Sequence, residues 1–297
     1  MNNTKTLPSA LLTYFDDKKI QVNKRLVQLL GKPSTSQNFK NLDGSLKHTV
    51  LLNGKRLRPI LAIAVYEMYQ SDIEAVLTPA CAIELIHAGS LMLDDLPCMD
   101  DAQYRRGEKT NHVLFGESVT ILASAALWVN AFEILSDIDN IKINQLVRET
   151  AECIGKNGLI LGQYMDLFAF DKKQSIDDLL QCYALKTSTL FLLAVRYGAT
   201  LGGASSSDRA SLERFGEAFG IAFQIHDDII DATLSESETG KDAQKDQSNN
   251  KPNYVSLLGL EKAKFALKKE TDTALSELNS LDKDTTILKM LVEYVIS

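Results

Sequence analysis

Apolar residues recur along most of this chain with the spacing of an amphipathic helix. Leu212, Phe215, Phe219, Ala222 and Phe223, for example, lie on one face if residues 207–233 are helical. No segment alternates apolar and polar residues over the length of a strand, so we expect no sheet. Helices are predicted near residues 7–30, 44–53, 57–70, 73–96, 117–136, 142–162, 176–201, 207–233, 260–279 and 284–295. The pattern therefore predicts an all-α fold.

Proline and loop signals give the domain organisation. The chain has six prolines, and none lies between Pro97 and Pro252, which favours long helices. One long stretch is poor in apolar residues, Ser235 to Asn253, and it predicts a functional loop. Only about 44 residues follow that loop, too few for a usual domain, so residues 1–297 are predicted to form a single domain.

Composition excludes several classes of protein. Lys and Arg number 32 against 39 Asp and Glu, a formal net charge of −7, which argues against binding to nucleic acid. The four cysteines form no C-x-x-C pair, so no disulfide framework or zinc site is indicated, and a cytoplasmic location is expected. The uncharged stretch from Ser118 to Phe132 is shorter than the roughly 18 residues of a membrane span. We expect a buried helix there, and no membrane span.

The first candidate site is the acidic segment DDLPCMD, which contains Asp94, Asp95 and Asp100. Pro97 should end the helix near Leu96, and a turn there can bring Asp100 back toward Asp94. Carboxylates crowded in this way favour a hard cation such as Mg²⁺. Solvated acids at a helix end are the alternative, although acids are disfavoured at a helix C-terminus.

The second candidate site lies on one predicted helix. Gln224, Asp227, Asp228 and Asp231 are offset by 3, 4 and 7 residues, which places them on one stripe. Apolar residues flank this stripe on both sides, so the acids project from a largely buried helix. Two acid clusters in one chain are far more specific than either alone.

Basic residues accompany both acid clusters. A lone lysine or arginine is usually a surface charge, but cations beside carboxylates and Mg²⁺ are how diphosphates are held. His87 lies two helical turns before Asp94 on the same face, although a lone histidine is more often a core or surface residue. The candidate cations are Lys55, Arg56, Arg58, Arg105, Arg106, Lys186, Lys241 and Lys251.

These motifs carry a resemblance to a known family. DDLPCMD followed by RRG, with DDIID about 130 residues later, resembles the two aspartate-rich motifs of the trans-type short-chain isoprenyl diphosphate synthases. NGKRLRP, GQYMDL and LKTSTLF are similar to further segments of that family, and the wider likeness leans toward bacterial geranylgeranyl and farnesyl diphosphate synthases. The resemblance implies a bundle of about ten or more long helices around a deep central cavity. It also implies a Mg²⁺-dependent prenyltransferase, commonly a homodimer.

The resemblance assigns a role to each candidate residue. Metal binding falls to Asp94, Asp95, Asp100, Asp227, Asp228 and Asp231. Contacts to the allylic diphosphate fall to Arg105, Lys186, Thr187, Gln224, Lys241 and Lys251. The residues implied to bind isopentenyl diphosphate are Lys55, Arg58, His87 and Arg106. Gln163 and Asp166 are implied to line the same cavity. The groups expected to act in catalysis are Asp94, Asp95, Asp100, Arg105, Lys186, Asp227 and Asp228.

The implied reaction is head-to-tail 1′-4 condensation of isopentenyl diphosphate with dimethylallyl, geranyl or farnesyl diphosphate. The allylic C–O bond ionises, the isopentenyl double bond attacks the cation, and a proton leaves for the departing pyrophosphate. Family members that stop at C15 often carry an aromatic residue in place of Gly89. Gly89 and the neighbouring Ser90 therefore predict an open floor and a C20 product, geranylgeranyl diphosphate, with C15 as the alternative. Close packing of α-helices also favours a glycine, so a neighbouring helix packed against Gly89 is the other explanation of this residue.

Two other functions remain open at this point. A class I terpene synthase also uses an Asp-rich motif and Mg²⁺. Such an enzyme binds no second diphosphate, so it would have no use for the basic group of Lys55, Arg58, His87 and Arg106. A non-catalytic regulatory subunit would be expected to lose aspartates, and both motifs are intact here. The chain departs from the family at Asn53, which replaces a glycine, and at Ala125, where many members have Asp.

Overall fold

A computed structural model of the protein describes residues 9–31, 40–138, 141–168, 175–233 and 252–295. Helices make up most of it, which confirms the all-α prediction. In chain order they are α1 Ser9–Leu29, α2 Lys40–Leu51, α3 Leu57–Glu67, α4 Glu74–Asp94, α5 Asn111–Phe115, α6 Glu117–Ser136, α7 Ile143–Ile154, α8 Leu159–Phe168, α9 Ile176–Tyr183, α10 Thr189–Gly202, α11 Ser206–Thr233, α12 Tyr254–Leu258, α13 Leu260–Asn279 and α14 Thr286–Val295.

Two predicted helices are wrong as continuous elements. The helix predicted over 142–162 is divided into α7 and α8, because the turn sequence Gly155-Lys-Asn-Gly158 separates them. The helix predicted over 176–201 changes to a π-helix at Ala184–Ser188 between α9 and α10. The short helices α5 and α12 were not predicted, since five residues are too few to show a period.

A small hairpin corrects the expectation of no sheet. Strand β1, Tyr104–Arg105, pairs antiparallel with strand β2, Glu108–Lys109. Arg106 and Gly107 between them both have positive φ, 55° and 83°. These angles suit the tight turn of a two-residue hairpin. Strands of two residues cannot show alternation, but this hairpin fixes the direction of Arg105.

The main apolar core lies between α3, α4, α10 and α11. Its largest fully buried side chains include Tyr197, Phe191, Phe215 and Phe219. A second, smaller cluster joins α9, α11, α12 and α13 through Tyr183, Ile225 and Tyr254, among others. The helices that carry the acid clusters, α4 and α11, are thus held from several sides.

Helix α6 corrects a further expectation. The stretch from Ser118 to Phe132 was predicted to be buried, yet Leu122 and Val129 are 62% and 68% exposed. Among the described helices, α4 and α6 are long and apolar enough to cross a membrane by length and composition. Most of α4 is buried inside the protein, whereas less than half of α6 is. Core helices of ordinary globular proteins meet the same criteria, so α6 is distinguished by its exposed apolar face.

Candidate active site

The turn after α4 brings the first acid cluster together as predicted. Helix α4 ends at Asp94, and the backbone N–H of Asp100 donates to the carbonyl of Asp94 at 2.9 Å. The N–H of Asp101 donates to Leu96 at 3.0 Å, which closes the turn around the exposed Pro97. The chain therefore reverses, so that Asp100 returns beside the end of the helix.

Asp95 is held by Arg105 of the hairpin. Nε of Arg105 lies 2.8 Å and 2.9 Å from the two carboxylate oxygens of Asp95, and Nη2 lies 2.6 Å from Oδ1. The Asp95 side chain is only 3% exposed, and burial raises its pKa although Arg105 opposes that shift. The same guanidinium reaches Asp94, at 3.9 Å. Arg105 thus neutralises this end of α4.

Asp94 is linked to residues of α8 and of the π-helix. Its Oδ1 accepts hydrogen bonds from Nε2 of Gln163 at 2.7 Å and from Nζ of Lys186 at 3.3 Å. Lys186 also pairs with Asp166 at 2.7 Å. Burial lowers the pKa of Lys186, but the charges of Asp94 and Asp166 outweigh it and the net shift is upward. The ammonium therefore stays protonated between two carboxylates.

The π-helix that carries Lys186 and Thr187 is wedged between two glycines of neighbouring helices. A Cβ at Gly162 of α8 would lie 2.4 Å from the backbone nitrogen of Lys186. A Cβ at Gly220 of α11 would lie 2.5 Å from Cα of Ser188. Only glycine allows both helices to approach this closely. π-Helical turns are frequent at functional sites, and this one was missed because its apolar pattern continues that of α9 and α10.

The acids of the second cluster occupy different environments. Asp227 is half-buried and Asp231 is exposed, whereas Asp228 is 5% exposed. Oδ2 of Asp228 accepts from the Tyr183 hydroxyl and from the Tyr254 N–H at 2.8 Å, and Oδ1 accepts from Gln224 at 3.2 Å. Burial raises the pKa of this carboxyl, and the three donors oppose the shift. Asp228 therefore joins α11 to α9 and to the start of α12.

Thr187 connects the π-helix to the second cluster. Its hydroxyl donates to Oε1 of Gln224 at 2.8 Å, while Lys186 beside it reaches Asp94 of the first cluster. Adjacent residues of one element thus contact both acidic segments. The π-helix therefore links the two acidic segments.

A separate group of cations surrounds His87. Nη1 of Arg58 lies 3.3 Å from Nε2 of His87, and its guanidinium stacks on the ring of Phe191 at 4.5 Å. Nε of Arg58 is buried and has no hydrogen-bond partner among the residues that the structure describes, and burial lowers the pKa of Arg58 to about 10. Burial and the neighbouring arginines, Arg58 first among them, hold the pKa of His87 well below its usual value. The site thus presents an unsatisfied cation and a neutral imidazole.

Arg106 lies near this group, and Lys55 lies in the loop before α3; both are exposed. Nζ of Lys55 is 5.3 Å from the ring centroid of Tyr294, and the Lys55 charge contributes to a lowered pKa of His226, after burial. A Cβ at Gly54 would lie 2.4 Å from Nη1 of Arg106, so that guanidinium packs against the loop before α3. Asn53, at the departure from the family motif, accepts a hydrogen bond from Lys19 at 3.0 Å.

The residues fit Mg²⁺ by chemistry rather than as a preformed cage. Within the described residues, no three of His, Cys, Asp and Glu lie close enough to hold a metal ion. Mg²⁺ in proteins is usually bound by one or two carboxylates together with substrate phosphates, and half-buried Asp94 and Asp227 supply oxygen ligands of that kind. Lys241, Lys251 and most of the loop from Ser235 to Asn253 lie outside the described residues.

Gly89 and Ser90 are not beside an open floor. The Ser90 hydroxyl donates to the carbonyl of His87 at 2.8 Å, and Gly89 is buried against Trp128 of α6. The predicted empty space at Gly89 is therefore wrong, because an indole from another helix fills it. The alternative of close packing against a neighbouring helix is found instead, although spacing along α4 does not identify Trp128 as the neighbour.

Sequence reasoning also missed Tyr183 and Tyr254, the residues that bind Asp228. Both are buried and come from α9 and α12, far from Asp228 in the chain. A tyrosine in an apolar segment usually packs in a core, and only its hydroxyl could have suggested a polar partner. Together, these residues form two groups of charged side chains on an all-α scaffold, one around Asp94 and Lys186 and one around Arg58 and His87.

Comparison with known proteins gives this site a family. The polyprenyl synthetase family model matches residues 39–295, so the chain belongs to that family and is a prenyltransferase. It is 35% identical over 296 residues to geranylgeranyl pyrophosphate synthase 10, mitochondrial, of Arabidopsis thaliana, covering 96% of this chain and 85% of that protein. Geranylgeranyl pyrophosphate synthase 4 of the same plant is 38% identical over 249 residues, covering 82% and 67%.

Solved structures agree in fold. An FPP/GFPP synthase from Zymomonas mobilis has a TM-score of 0.87 and 30% identity, covering 97% of this chain and 99% of its own. A geranyltransferase from Helicobacter pylori, complexed with magnesium and isoprenyl diphosphate, has a TM-score of 0.83 and 28% identity, with 98% of both chains covered. Magnesium and isoprenyl diphosphate are thus bound by a member of this structural class.

Proposed function

We propose that this protein condenses isopentenyl diphosphate head-to-tail with allylic diphosphates to give an all-trans product, with geranylgeranyl diphosphate favoured. One observation carries the proposal: Lys186 and Thr187, adjacent on the π-helix, contact Asp94 and Gln224 of the two acidic segments. This arrangement provides one charged chamber for an allylic diphosphate. The names of the geranylgeranyl pyrophosphate synthases among the relatives support the C20 product.

The cation group around His87 supports a second diphosphate site. Within the described part of the chain, the buried Nε of Arg58 has no hydrogen-bond partner, and the guanidinium stacks on the ring of Phe191. A buried donor left in this state costs free energy until an acceptor arrives. An incoming diphosphate supplies that acceptor, with Lys55, Arg106 and neutral His87 nearby. A class I terpene synthase, which binds one diphosphate, would leave this group without a ligand.

Each half of the site has its own part in the reaction. Asp94 and Asp227, with Asp100 and Asp231, would hold Mg²⁺, which when bound supplies positive charge to the departing diphosphate. Lys186 remains protonated beside Asp94, so its ammonium is placed to stabilise the same negative charge as the allylic C–O bond breaks. Phe191 and Phe223, whose ring centroids are 5.3 Å apart, border the Arg58 site and exclude water from an allylic cation.

A C15 product is the second candidate. Two similar solved structures are named as an FPP/GFPP synthase and as a geranyltranstransferase from Thermotoga maritima. The contact of Trp128 with Gly89 favours a shorter product than a glycine beside open space would allow. A non-catalytic regulatory subunit is disfavoured, since Lys186 contacts Asp94 of the first acidic segment and Thr187 contacts Gln224 of the second.

We further propose a homodimer in the cytoplasm. Helices α5 and α6 together expose Val113, Leu114, Ile121, Leu122 and Val129, an apolar surface that a second copy could cover. The same surface on two copies would form a two-fold interface. All four cysteines are unpaired, which supports a reducing compartment.

A turnover assay tests the proposed function. The protein is incubated with Mg²⁺, isopentenyl diphosphate and dimethylallyl, geranyl or farnesyl diphosphate in turn, and the products are separated by chain length. We expect condensation with all three, C20 as the main end product, and loss of turnover with EDTA. Release of a hydrocarbon from geranyl or farnesyl diphosphate alone would instead indicate a terpene synthase. Absence of any product would refute the proposal.

A further inference from the structure

Lys186 is shared unequally between two carboxylates of the site. Its Nζ lies 2.7 Å from Oδ2 of Asp166 on α8 and 3.3 Å from Oδ1 of Asp94 at the end of α4. Hydrogen bonds between an ammonium and a carboxylate are usually about 2.7–2.9 Å long. The bond to Asp166 therefore has the length of a full charge-assisted hydrogen bond, whereas the contact with Asp94 is stretched. Asp166 is thus the main anchor of the ammonium.

The packing of α8 on the π-helix places Asp166 beside Lys186. The two backbones meet at Gly162, where a Cβ would lie 2.4 Å from the backbone nitrogen of Lys186. Asp166 follows Gly162 by four residues, so it lies on the same face of α8, one turn further along. The side chain of Asp166 is only 19% exposed. The ion pair therefore rests on a fixed contact between two elements of the backbone.

Asp94, in contrast, is a carboxylate that Lys186 has to share. Nε2 of Gln163 donates to the same oxygen, Oδ1, at 2.7 Å, and Asp94 is one of the residues proposed to hold Mg²⁺. An ammonium and a divalent cation beside one carboxylate repel each other. Asp166 supplies a separate carboxylate, so Lys186 can stay in the site when Asp94 binds a metal ion.

We propose that Asp166 is a positioning residue, which holds the ammonium of Lys186 ready for the allylic diphosphate and leaves the carboxylate of Asp94 to Mg²⁺. The inference rests on the proposed function, because it concerns how the site takes up that diphosphate. Asp166 acts through Lys186 and contacts neither the metal ion nor the reacting atoms. The family resemblance implies only that Asp166 lines the cavity, so this role is an addition to it.

Calorimetric titration with inorganic pyrophosphate in the presence of Mg²⁺ tests this role without turnover. Asp166→Asn should weaken binding by about tenfold, because Lys186 then pairs with Asp94 and competes for its carboxylate. In a Lys186→Gln background the same substitution should change the affinity by about twofold or less, since no ammonium remains to be held. Equal losses in the two backgrounds would overturn the proposal, because Asp166 would then act on the ligand or on the fold directly.

Two further variants separate the charge of Asp166 from its shape. Asp166→Glu keeps the carboxylate and should keep most of the affinity that Asp166→Asn loses. Asp177→Asn is the matched control, since Asp177 is exposed on α9, and it should bind pyrophosphate as the wild type does. Circular dichroism checks that each variant is folded. A loss in Asp166→Glu or in Asp177→Asn as large as that in Asp166→Asn would overturn the proposal.

The outcomes separate this inference from the proposed function. Condensation by the wild type reports on the proposed function alone, whereas the calorimetric comparison requires no product. Wild-type affinity in folded Asp166→Asn would overturn the role of Asp166, and so would a wild type that does not bind pyrophosphate with Mg²⁺. A loss that depends on Lys186, in a protein that forms no product, would support the role of Asp166 at a diphosphate site and refute the condensation.

Discussion

Arg56 and Glu84 form an ion pair that is almost wholly inside the protein. Nη1 of Arg56 lies 2.6 Å from Oε1 of Glu84, and their side chains are only 2% and 4% exposed. Nη2 of Arg56 donates to the carbonyls of Val50 and Leu52 at 2.8 Å and 2.9 Å. The pair therefore ties the end of α2 to the middle of α4.

This pair has consequences for the cation site as well as for stability. Arg56 precedes α3 with a φ of 53°, a left-handed conformation that is uncommon for a residue with a side chain. Its network fixes the backbone between Lys55, in the loop before α3, and Arg58, in the first turn of α3. The family resemblance assigns both residues to isopentenyl diphosphate. Arg56, which the sequence offered as one of several cations, is thus a structural residue rather than a substrate contact.

Glu84→Ala should lower the free energy of unfolding by about 3–5 kcal/mol, because it leaves the Arg56 charge buried without its partner. Urea denaturation followed by circular dichroism measures the change. Glu261→Ala is the control, since Glu261 pairs with Lys264 in an exposed i,i+3 bridge at 2.9 Å. That variant should change the free energy of unfolding by about 1 kcal/mol or less. Equal effects of the two substitutions would contradict the importance of the buried pair.

Asp94→Asn and Asp227→Asn should each lower kcat by about 100-fold or more, because each removes negative charge that would hold Mg²⁺ at the departing diphosphate. Steady-state assays with saturating Mg²⁺ measure the loss, and melting temperatures should stay near that of the wild type. Asp101→Asn is the matched control: Asp101 is exposed in the same turn, and Asn tolerates its φ of 48°. Wild-type kcat in both site variants would refute the two-cluster site.

Asp228 should behave differently from its neighbour Asp227. Tyr183, Tyr254 and Gln224 already donate hydrogen bonds to its carboxylate. Asp228→Asn should therefore lower the melting temperature, while the Mg²⁺ concentration for half-maximal rate stays near that of the wild type. Tyr183→Phe removes one of the donors and should show the same pattern in milder form. Titration of the rate with Mg²⁺, beside thermal melts, checks this. A rise in the Mg²⁺ requirement for Asp228→Asn equal to that of Asp227→Asn, with none for Tyr183→Phe, would indicate a direct ligand.

Much of this architecture follows from the sequence alone. Periodicity located the long helices, and Pro97 correctly indicated the turn that returns Asp100 to Asp94. Spacing also placed Asp227 and Asp228 near one another, but it could not tell which faces the interior. That depends on Tyr183 and Tyr254, which other helices supply.

The predictions from the sequence that were wrong share one physical origin, which is contacts between helices far apart in the chain. The spacing of apolar residues does not predict the π-helix, because the π-helix depends on the close approach of Gly162 and Gly220 from two other helices. The space beside Gly89 could not be judged from α4, because Trp128 that fills it lies 39 residues further along the chain. Local patterns thus predict the elements, whereas tertiary contacts decide what each side chain does.

The lowered pKa of His87 predicts a pH dependence of stability. Burial and the charge of Arg58 disfavour the imidazolium in the folded protein, whereas the unfolded chain protonates near pH 6.5. Below that pH the unfolded state binds the extra proton, so the free energy of unfolding should fall as the pH is lowered from about 6.5. His87→Gln should be less sensitive over pH 5 to 6.5 in urea denaturation. An identical pH dependence for the variant and the wild type would refute this assignment.

The exposed apolar face of α6 predicts self-association. Val129→Lys and Leu122→Lys place a charge where a second copy is proposed to pack, so each should raise the dimer dissociation constant by tenfold or more, since about 1.4 kcal/mol is enough for that change. Sedimentation velocity over a range of protein concentrations measures it. Ile20→Lys is the matched control, because Ile20 on α1 is 67% exposed, as Val129 is 68% exposed, but lies outside this face. We expect a wild-type and Ile20→Lys dimer of twice 32.9 kDa, and a shift toward monomer for the two α6 variants. A wild type that stays monomeric at micromolar concentrations, or α6 variants that associate as tightly as Ile20→Lys, would rule out this face as the interface.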